Sequence, residues 1–581
     1  MNALTRFLFF LTILGIQQSF CQNRLPSYWF TSDNGELPQN SIKSIAPDKD
    51  GFIWMTTEDG LVRFDGQQFK VYNSDNITGL RSNRMMFLKK SRFSDGLCVN
   101  TDVGQTVHVN QVPEVLPQKT KDRNENQELG YLFSNNVDIY TSYFINSPTY
   151  NILLKNHYYS VTRDSIRLYN LKHKRLGAFS NRFVNGTKFF VIDDKLFLKN
   201  KKDYFIVSPT RLVKINFNMP TSGDETIYAN NAIDQAFMYQ NGKLYYLTAG
   251  KNGITPKLIL SDFNTVKNNV STLYYDPKLG IVYIGSLTKG FMIVRPQNFK
   301  SYTDIQDPVV YSSFAYDSVS VVTGRGQIIS SNGTIRHLKT VLKTDKFFSI
   351  LDNNGDLWTI NYENSFHRYK KSSNYSLSDD WSLKFTPSLL YKDDKGLMWI
   401  GASNYKKYDE GKLYYIDPDD AAKKLNWAAD FNFLPNSAQK IGAHKFVIGS
   451  QNGLYTVDLK QKSIVKNQLI GNAYIRGIQS SKANEIWVNT YNNGFFLIRN
   501  NVTTHFPFDR NKYIRSAHCI VEDAKGYMWI TTNKGLFQVA KSSLIAYADK
   551  KKSTIYYHYY DKASGFKSNE FNGGCSPCAT K

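Results

Sequence analysis

Aromatic and basic side chains near residue 400 are the best candidates for contacting a ligand. Trp381 and Trp427 stand outside the repeated tryptophan position described below. Tyr405, Lys406 and Lys407 are consecutive in a polar, aromatic segment. Aromatic faces stack on sugar rings and basic side chains bind acidic groups, so these five residues predict a carbohydrate site. Packing between neighbouring sheets is the alternative role for the same side chains.

The carboxylates considered as candidates for glycan cleavage are close neighbours in sequence. Most glycosidases need two carboxyl groups that flank the scissile bond. Asp379 and Asp380 are adjacent, as are Asp419 and Asp420 after Asp417, and neighbouring aspartates commonly form a solvated turn. The sequence also lacks a P-loop, an H-E-x-x-H motif and a G-x-S-x-G motif. We therefore predict that the chain is not an enzyme and has no catalytic residues.

The cysteines do not predict a metal site. Cys575 and Cys578 form a single C-x-x-C pattern, and no second pair or histidine cluster follows at zinc-site spacing. We predict no metal and no cofactor. The pair is interpreted as cysteines without a special role, with a disulfide or a thiol pair as the alternative.

The N-terminus is typical of an exported protein. Arg6 precedes an apolar run, Phe7–Ile16, and small residues lead to a cleavage point before Gln22. A run this short does not span about 30 Å of hydrocarbon, which argues against a membrane anchor. Lipid attachment at Cys21 is the other alternative. Residues 1–21 are thus predicted to be a cleaved signal peptide, and the mature chain to be periplasmic.

Composition indicates a folded β protein with a basic surface. Aromatic residues make up 14% of the chain, and they favour strands over disorder. Lys and Arg exceed Asp and Glu by 72 − 49 = 23. For an exported protein this charge favours an acidic polysaccharide or a membrane face and makes nucleic acid an improbable partner. A solvated, lysine-rich exterior is the alternative reading.

A cassette of roughly forty residues recurs along the chain, and its clearest copy spans Asn40–Tyr72. Each copy places an Asp/Lys-Gly turn between two apolar runs, as in a β-propeller blade. The equivalent anchor positions are Trp54, Cys98, Tyr140, Phe197, Tyr245, Tyr283, Val321, Trp358, Trp399, Val447, Trp487 and Trp529. A degenerate copy near Ser160 would fill the longest gap.

The number of copies predicts two rings. About thirteen copies exceed the four to eight blades of one propeller. We predict an all-β protein with two tandem β-propellers of about seven four-stranded blades each, the last of them truncated. The first propeller is assigned to residues 22–300 and the second to residues 301–581, with the junction where the strand pattern breaks. Copies between residues 110 and 260 are weak, so the blade count there is open.

Four motifs identify a resemblance to the two-component regulator propeller repeats of Bacteroidetes-type periplasmic sensors. They are LPQNSIKSIAPDKDGFIWMTTEDGLVRFDG, DDKGLMWIGASN, DAKGYMWITTNKGLF and GFKSNEFNGG. The resemblance implies two seven-bladed periplasmic propellers, a following β-sandwich with a triple-tyrosine motif, and one membrane helix. A histidine kinase or a helix-turn-helix output would lie beyond them. None of these later parts is encoded in the 581 residues.

The resemblance and the residues together predict a periplasmic sensing region that binds an oligosaccharide, with an anionic glycan as one form. Signalling would pass through downstream domains, and the membrane would be reached only through a downstream helix. Formation of a homodimer is a further possibility that the sequence does not decide. The alternatives are an exported propeller hydrolase or lyase, and a scaffold that binds proteins.

Overall fold

The computed structural model describes residues 28–90, 96–110, 112–116, 150–162, 164–172, 174–181, 187–230, 232–251, 253–296, 299–302, 309–482 and 485–580. Half of the described residues are in strands and 3% are helical, which confirms the predicted all-β fold. The predicted signal peptide and the anchor Tyr140 lie outside the described residues. The chain divides into two compact units. The first unit is Met1–Ala46, Met55–Val62 and Val71–Asn298, and the second is Pro47–Trp54, Arg63–Lys70 and Phe299–Lys581.

The described residues up to Val294 form strands β1 (Trp29–Phe30), β2 (Ser44–Pro47), β3 (Ile53–Thr57), β4 (Gly60–Phe64), β5 (Phe69–Tyr72), β6 (Met85–Lys90), β7 (Leu97–Thr101), β8 (Thr106–Val109), β9 (Glu114–Val115), β10 (Tyr150–Leu153), β11 (His157–Val161), β12 (Ser165–Asn170), β13 (Arg175–Ser180), β14 (Thr187–Ile192), β15 (Lys195–Asn200), β16 (Asp203–Val207), β17 (Leu212–Phe217), β18 (Thr226–Asn230), β19 (Gln235–Gln240), β20 (Lys243–Gly250), β21 (Gly253–Leu260), β22 (Val270–Asp276), β23 (Ile281–Ser286) and β24 (Phe291–Val294). Most of them form four-stranded sheets, and β14–β21 join into one eight-stranded sheet. The sheet β10–β13 contains the degenerate copy predicted near Ser160.

The first unit uses its N-terminal strand to complete its last sheet. Trp29 in β1 pairs with Met292 in β24, and Phe30 pairs with Phe291, so the order is β1-β24-β23-β22. Closure of this kind covers a sheet edge that would otherwise offer unpaired backbone groups. The assignment of one propeller to residues 22–300 and another to 301–581 stays a prediction.

The described residues after Phe299 form strands β25 (Ser313–Ala315), β26 (Ser320–Thr323), β27 (Gln327–Ser330), β28 (Ile335–His337), β29 (Ser349–Leu351), β30 (Leu357–Asn361), β31 (Ser365–Tyr369), β32 (Ser378–Ser382), β33 (Thr386–Lys392), β34 (Met398–Ser403), β35 (Gly411–Ile416), β36 (Asn426–Phe431), β37 (Pro435–Lys440), β38 (Lys445–Ser450), β39 (Gly453–Asp458), β40 (Ser463–Lys466), β41 (Tyr474–Lys482), β42 (Glu485–Tyr491), β43 (Phe495–Arg499), β44 (Val502–His505), β45 (Cys519–Glu522), β46 (Tyr527–Thr532), β47 (Gly535–Ala540) and β48 (His558–Tyr560), with helix α1 (Lys541–Ala548). Short 3₁₀ segments occur at Lys371–Ser373, Tyr513–Arg515 and Lys562–Ser564.

These strands form six consecutive four-stranded antiparallel sheets in the described part of this half, against about seven predicted. The first strand of each sheet contacts the first strand of the next, from β25 to β45. That is the stacking by which propeller blades bury faces that they cannot bury alone. The last sheet was predicted to be truncated, and this is wrong. The chain turns back after α1, and β48 pairs with β47 as the fourth strand.

The second strand of each sheet contributes many of the buried core residues. All six residues of β34 are buried because this strand packs on a neighbouring sheet through each face. Trp358 in β30 is fully buried, and Trp399 and Trp487 are nearly so. Burying a large apolar side chain contributes about 1.5–3 kcal/mol, so these anchors stabilise the sheets strongly. The tryptophan anchors are confirmed as second-strand residues, whereas Tyr245 lies in the third strand of its sheet, β20.

An aspartate six residues before the tryptophan organises the turn between first and second strands. Asp393 Oδ1 accepts hydrogen bonds from the backbone N–H groups of Lys395 (2.9 Å) and Leu397 (3.0 Å), and its Oδ2 accepts one from Trp399 Nε1 (3.1 Å). Asp48, Asp352 and Asp523 bond the indole N–H of their own tryptophans at 2.8, 2.9 and 2.8 Å. Where Ser481 replaces the aspartate, the buried Trp487 Nε1 has no acceptor among the described residues.

The segment after β48 is tied back to the last sheet by a disulfide. Cys578 is bonded to Cys519 at the start of β45, and Cys575 is a buried free thiol. The interpretation of the C-x-x-C pair as cysteines without a role is therefore wrong for Cys578. Its partner lies 59 residues away, so spacing within the motif could not reveal the bond.

Candidate ligand site in the second unit

A cavity of about 410 Å³ lies among the first strands of the second unit. Its wall is formed by β33, β37 and β41, and by the segment Gly573–Ala579. Small residues on these strands leave the space open, namely Ser388, Ser437, Ala438 and Gly477. We call this space the tyrosine cavity because Tyr362, Tyr391, Tyr405 and Tyr474 also line it.

The segment Gly573–Ala579 forms one wall through backbone pairing. The Ser576 N–H donates to the Phe347 carbonyl (2.9 Å), and the Ser349 N–H donates to the Ser576 carbonyl (3.0 Å). A side chain at Gly573 would collide with the His518 ring, since a Cβ there would lie 2.4 Å from His518 Nδ1. The NGG sequence thus lets this segment run close against β45 before it reaches the cavity.

Three of the tyrosines that line the cavity have no hydroxyl partner among the described residues, and two of them, Tyr362 and Tyr405, are 61% and 40% exposed. Tyr362 and Tyr405 follow second strands β30 and β34, and Tyr474 begins first strand β41. In the described part of the chain, none of their hydroxyl groups makes a hydrogen bond. A phenol O–H is both donor and acceptor, so each can bind a sugar hydroxyl while the ring stacks on the sugar.

The pKa values of Tyr405 and Tyr362 are raised, so both phenols are protonated at neutral pH. Tyr405 is 40% exposed. Even so, partial desolvation raises its pKa to about 12, with smaller effects from Tyr474 and Tyr362. Partial desolvation is also the main cause of the raised pKa of Tyr362. Neutral phenols therefore remain available as hydrogen-bond donors.

A buried carboxyl group lies beside this cluster. Burial raises the pKa of Asp345 to about 6, although backbone N–H groups of Phe347 and Phe348 stabilise its charged form. Asp345 is 8% exposed, and its proximity contributes to the raised pKa values of Tyr405 and Tyr362. It is not among the residues that line the cavity.

Arg476 brings positive charge to the cavity. Its guanidinium carbon lies 4.6 Å from the ring centre of Tyr474 and 4.9 Å from that of Tyr491. No Asp or Glu is found among the described residues that line the cavity. The site therefore offers donors and aromatic faces, and it lacks the carboxylate pair that glycoside cleavage requires.

A second cavity of about 390 Å³ shares Tyr474 with the first. Its lining is rich in amides, with Gln451, Asn472, Asn492 and Asn493 beside Tyr491. Amide groups donate and accept, which suits the hydroxyl groups of a sugar.

The residues predicted from sequence lie in different places. Tyr405 lines the tyrosine cavity. Lys406 and Lys407 are exposed in the same loop, and Lys407 pairs with Glu410 (3.6 Å). Trp381 stacks on Phe366 (5.0 Å) and Trp358 (5.3 Å), on outermost strand β32. Trp427 is 59% exposed on outermost strand β36 and does not line the cavity.

The adjacent carboxylates make structural contacts. Asp379 pairs with Lys370 (2.9 Å) and Lys423, and the His367 imidazole lies 2.6 Å from Asp380. Asp417 accepts a turn hydrogen bond from the Asp419 N–H (3.0 Å). In the described ranges no cluster of His, Cys, Asp or Glu could hold a metal ion, and no helix is long and apolar enough to span a membrane.

Sequence reasoning missed Tyr362, Tyr474 and Arg476. A signal for the first was present, because a tyrosine follows the anchor tryptophan by four to six residues in several copies. Trp358 is followed by Tyr362, Trp399 by Tyr405, and Trp487 by Tyr491. Aligning the copies on the tryptophan would have placed these rings at one end of their sheets.

The comparisons with known proteins bear on the repeat and on the fold. The family model described as "Two component regulator propeller" matches residues 36–59, which contain the first aspartate turn. No curated protein matches the chain.

Three solved structures are similar to this chain at low identity. The extracellular domain of a putative hybrid two component system from B. thetaiotaomicron is 17% identical, with a TM-score of 0.35 over 94% of this chain and 80% of that one. PorZ of Porphyromonas gingivalis is 11% identical, with a TM-score of 0.32 over 87% and 86%. Virginiamycin B lyase from Staphylococcus aureus is 13% identical, with a TM-score of 0.28 over 52% and 88%.

Proposed function

We propose that this chain is the periplasmic sensing region of a two-component-type regulator and that it binds an oligosaccharide in the tyrosine cavity. The repeat match at residues 36–59 supports the regulator part of the proposal. The binding part depends on one observation above all. The phenol groups of Tyr362, Tyr405 and Tyr474 surround one cavity, and none has a hydrogen-bond partner among the described residues.

The chemistry of the cavity fits a sugar better than an apolar ligand. A volume of about 410 Å³ falls in the range of roughly 300–1,000 Å³ that is usual for small-ligand sites. Tyrosine rings supply flat apolar faces, and the raised pKa values of Tyr405 and Tyr362 keep the protons on these two hydroxyl groups. A sugar ring presents C–H groups on its faces and hydroxyl groups at its edge, so it can use both features at once.

Two independent features support a location outside the cytoplasm. Residues 1–21 have the charged start, short apolar run and cleavage point of a secretory signal. The Cys519–Cys578 disulfide is of the kind that persists in oxidising compartments and is rare in the cytosol.

Signalling would follow from a difference in affinity between two arrangements of the regulator. A ligand that binds one arrangement more tightly shifts the population toward it. In the proposed regulator, downstream domains beyond these residues would carry that shift across the membrane.

Two rival functions make different demands on the same site. A hydrolase would need a carboxylate pair in contact with the glycan, and the described lining of the cavity contains no Asp or Glu. A lyase would be recognised by the cleaved products that it releases. A protein-binding scaffold would need a broad exposed apolar face instead of a small polar cavity.

Binding of a glycan panel to the purified chain tests the proposal. A ligand that binds only the folded state raises the melting temperature, and isothermal titration then gives its Kd. We expect the Tyr405→Ala/Tyr474→Ala variant to weaken binding by at least about tenfold, because two stacking and hydrogen-bonding groups are lost. Its melting temperature should change little, since both side chains face the cavity.

Trp427→Ala is the matched control, because it removes an exposed aromatic side chain outside the cavity. We expect it to leave Kd unchanged. Loss of binding in Trp427→Ala with full binding in the double tyrosine variant would contradict the proposed site. Release of cleaved sugar products would contradict a purely sensory role.

A further inference from the structure

Among the described residues, Arg476 has no ion-pair partner, and it lies beside the tyrosine cavity. It lies in β41, and its guanidinium contacts the rings of Tyr474 and Tyr491. Its Nε atom is buried and has no hydrogen-bond acceptor in the described part of the chain. A guanidinium has five N–H donors, and a buried donor atom without an acceptor is unfavourable, although Arg476 as a whole is only half-buried.

Other buried cations of the same unit are paired. Arg368 Nε lies 2.9 Å from Asp356 and 3.2 Å from Asp352. Lys440 Nζ lies 2.5 Å from Asp393. Arg476 differs from both, since no ion pair joins it to a described carboxylate. Arg368 and Lys440 are thus neutralised by carboxylates, whereas the partly buried Arg476 has no such partner among the described residues.

The groups packed around Arg476 do not neutralise it. Gly574 approaches so closely that a Cβ there would lie 2.6 Å from an Arg476 terminal nitrogen. The Cys575 thiol is protonated at neutral pH, because burial raises its pKa to about 11. The pKa of His518 is lowered by burial, with Arg476 adding to that effect. Glu570 acts on His518 in the opposite direction but makes no ion pair with Arg476.

The position of Arg476 suits a sugar that bears an acidic group. Tyr474 lines both cavities, and Tyr491 lines the smaller one with its amide groups. A sugar ring held by these side chains would bring a substituent to the guanidinium between the two rings. Carboxylate and sulfate oxygens match the planar donor fork of arginine, and they bind it through paired hydrogen bonds.

We propose that the ligand is an acidic oligosaccharide whose carboxylate or sulfate group binds Arg476 at the junction of the two cavities. This inference rests on the proposed function and narrows its ligand class. The net excess of 23 basic residues would assist capture of such a ligand from solution.

The test uses pairs of oligosaccharides that differ only in charge. One arm compares oligogalacturonides and other uronic-acid oligosaccharides with their methyl esters. The other arm compares sulfated oligosaccharides with their desulfated forms, and together the arms separate carboxylate from sulfate. We expect at least one acidic member to bind, and its neutral counterpart to bind about tenfold more weakly or worse.

Substitutions at Arg476 then test whether this side chain binds the acidic group of the ligand. Arg476→Gln should weaken acidic binding by roughly 10- to 100-fold and remove the difference between the paired probes. The affinity of Arg476→Lys for acidic probes should lie between those of the parent chain and Arg476→Gln, because lysine keeps the charge but lacks the paired donors of the guanidinium. Lys460→Gln removes one exposed charge outside both cavities and should change nothing. The melting temperature of each variant checks that it folds.

The outcomes separate the two proposals. If neutral and acidic probes bind equally, or if Arg476→Gln keeps the preference for acidic probes, the anionic class is wrong and the sensory function stands. If no glycan of either kind binds, the proposed function itself fails.

Discussion

The two ends of each sheet in the second unit differ in how uniform they are. Because neighbouring strands are antiparallel, the turn before the second strand and the turn after it lie at opposite ends. In three of the six sheets, the turn before the second strand repeats one set of aspartate hydrogen bonds, and we call this the aspartate end. Turns after it vary in length and carry Tyr362, Tyr405 and Tyr491, and we call this the tyrosine end.

This difference separates folding from recognition within one repeated unit. Where Asp352, Asp393 and Asp523 precede their tryptophans, one side chain serves both the turn and the buried indole, so the aspartate there has little freedom to vary. The turns at the tyrosine end need only connect two strands, so their residues can differ from copy to copy. Exposed turns on a rigid scaffold are where binding residues commonly occur.

The largest effect is expected from the covalent link at the tyrosine end. The Cys519→Ser/Cys578→Ser variant should lose about 4 kcal/mol of unfolding free energy, because the disulfide closes a loop of 59 residues. Urea denaturation of the variant and the parent chain measures the loss. An unchanged unfolding midpoint would show that the wall of the cavity does not depend on this link.

At the aspartate end, Asp393→Ala should cost about 3 kcal/mol. It removes the acceptor for two backbone N–H groups and the Trp399 indole, and it leaves Lys440 buried with Asp394 as its remaining, more distant partner. Asp394→Ala is the control, since this side chain is 81% exposed and should contribute less than about 1 kcal/mol. Equal losses in the two variants would refute the special role of the turn aspartate.

A fall in pH should change the stability contributions of two buried aspartates in opposite directions. Asp345 lies beside the tyrosine end, and Asp393 lies at the aspartate end. The pKa of Asp345 is raised by burial to about 6, so its stabilising contribution is complete below pH 3.8 and is lost as the pH rises through 6. At Asp393 burial acts to raise the pKa, but hydrogen bonds from Lys440 and Trp399 outweigh it and the pKa is lowered. Its contribution is therefore lost as the pH falls.

Asp345→Asn tests this contrast. The variant should match the parent chain near pH 4 and exceed it by on the order of 2 kcal/mol near pH 7. Urea denaturation at several pH values measures the difference. A stability difference that does not grow with pH would mean that Asp345 is not destabilised by burial of its charge.

The smallest of these effects concerns a single ring at the tyrosine end. Tyr405→Ala should weaken oligosaccharide binding by about tenfold, or roughly 1.4 kcal/mol. Tyr408→Ala, in the same loop but outside the cavity lining, should leave Kd unchanged. Titration calorimetry compares the two, and equal losses would place the ligand on the outside of the loop.

Most of the repeat could be predicted from sequence because the anchor residues are buried and large. Trp358, Trp399, Trp487 and Trp529 all lie in second strands, as expected. Tyr245 was assigned one strand too early. Strands β19 and β20 are both rich in aromatic residues, and a two-residue alternation does not distinguish neighbouring strands of one sheet.

The site was harder to predict because aromatic side chains serve several purposes in this fold. Trp381 and Tyr405 look equally suited to stacking on a sugar. Trp381 lies on the outermost strand of its sheet and stacks on two core rings, whereas Tyr405 follows a second strand and lines a cavity. Only the strand position separates these roles. Arg476 carries no sequence signal, since its proposed role depends on the lack of a carboxylate partner among the described residues.

A crystal structure of the chain with a bound oligosaccharide tests the central claim most directly. We expect electron density for the sugar in the tyrosine cavity, with a ring against Tyr405 or Tyr474 and no sugar at the aspartate end. Density against Trp427 or at the aspartate turns, with an empty tyrosine cavity, would contradict the separation of folding from recognition.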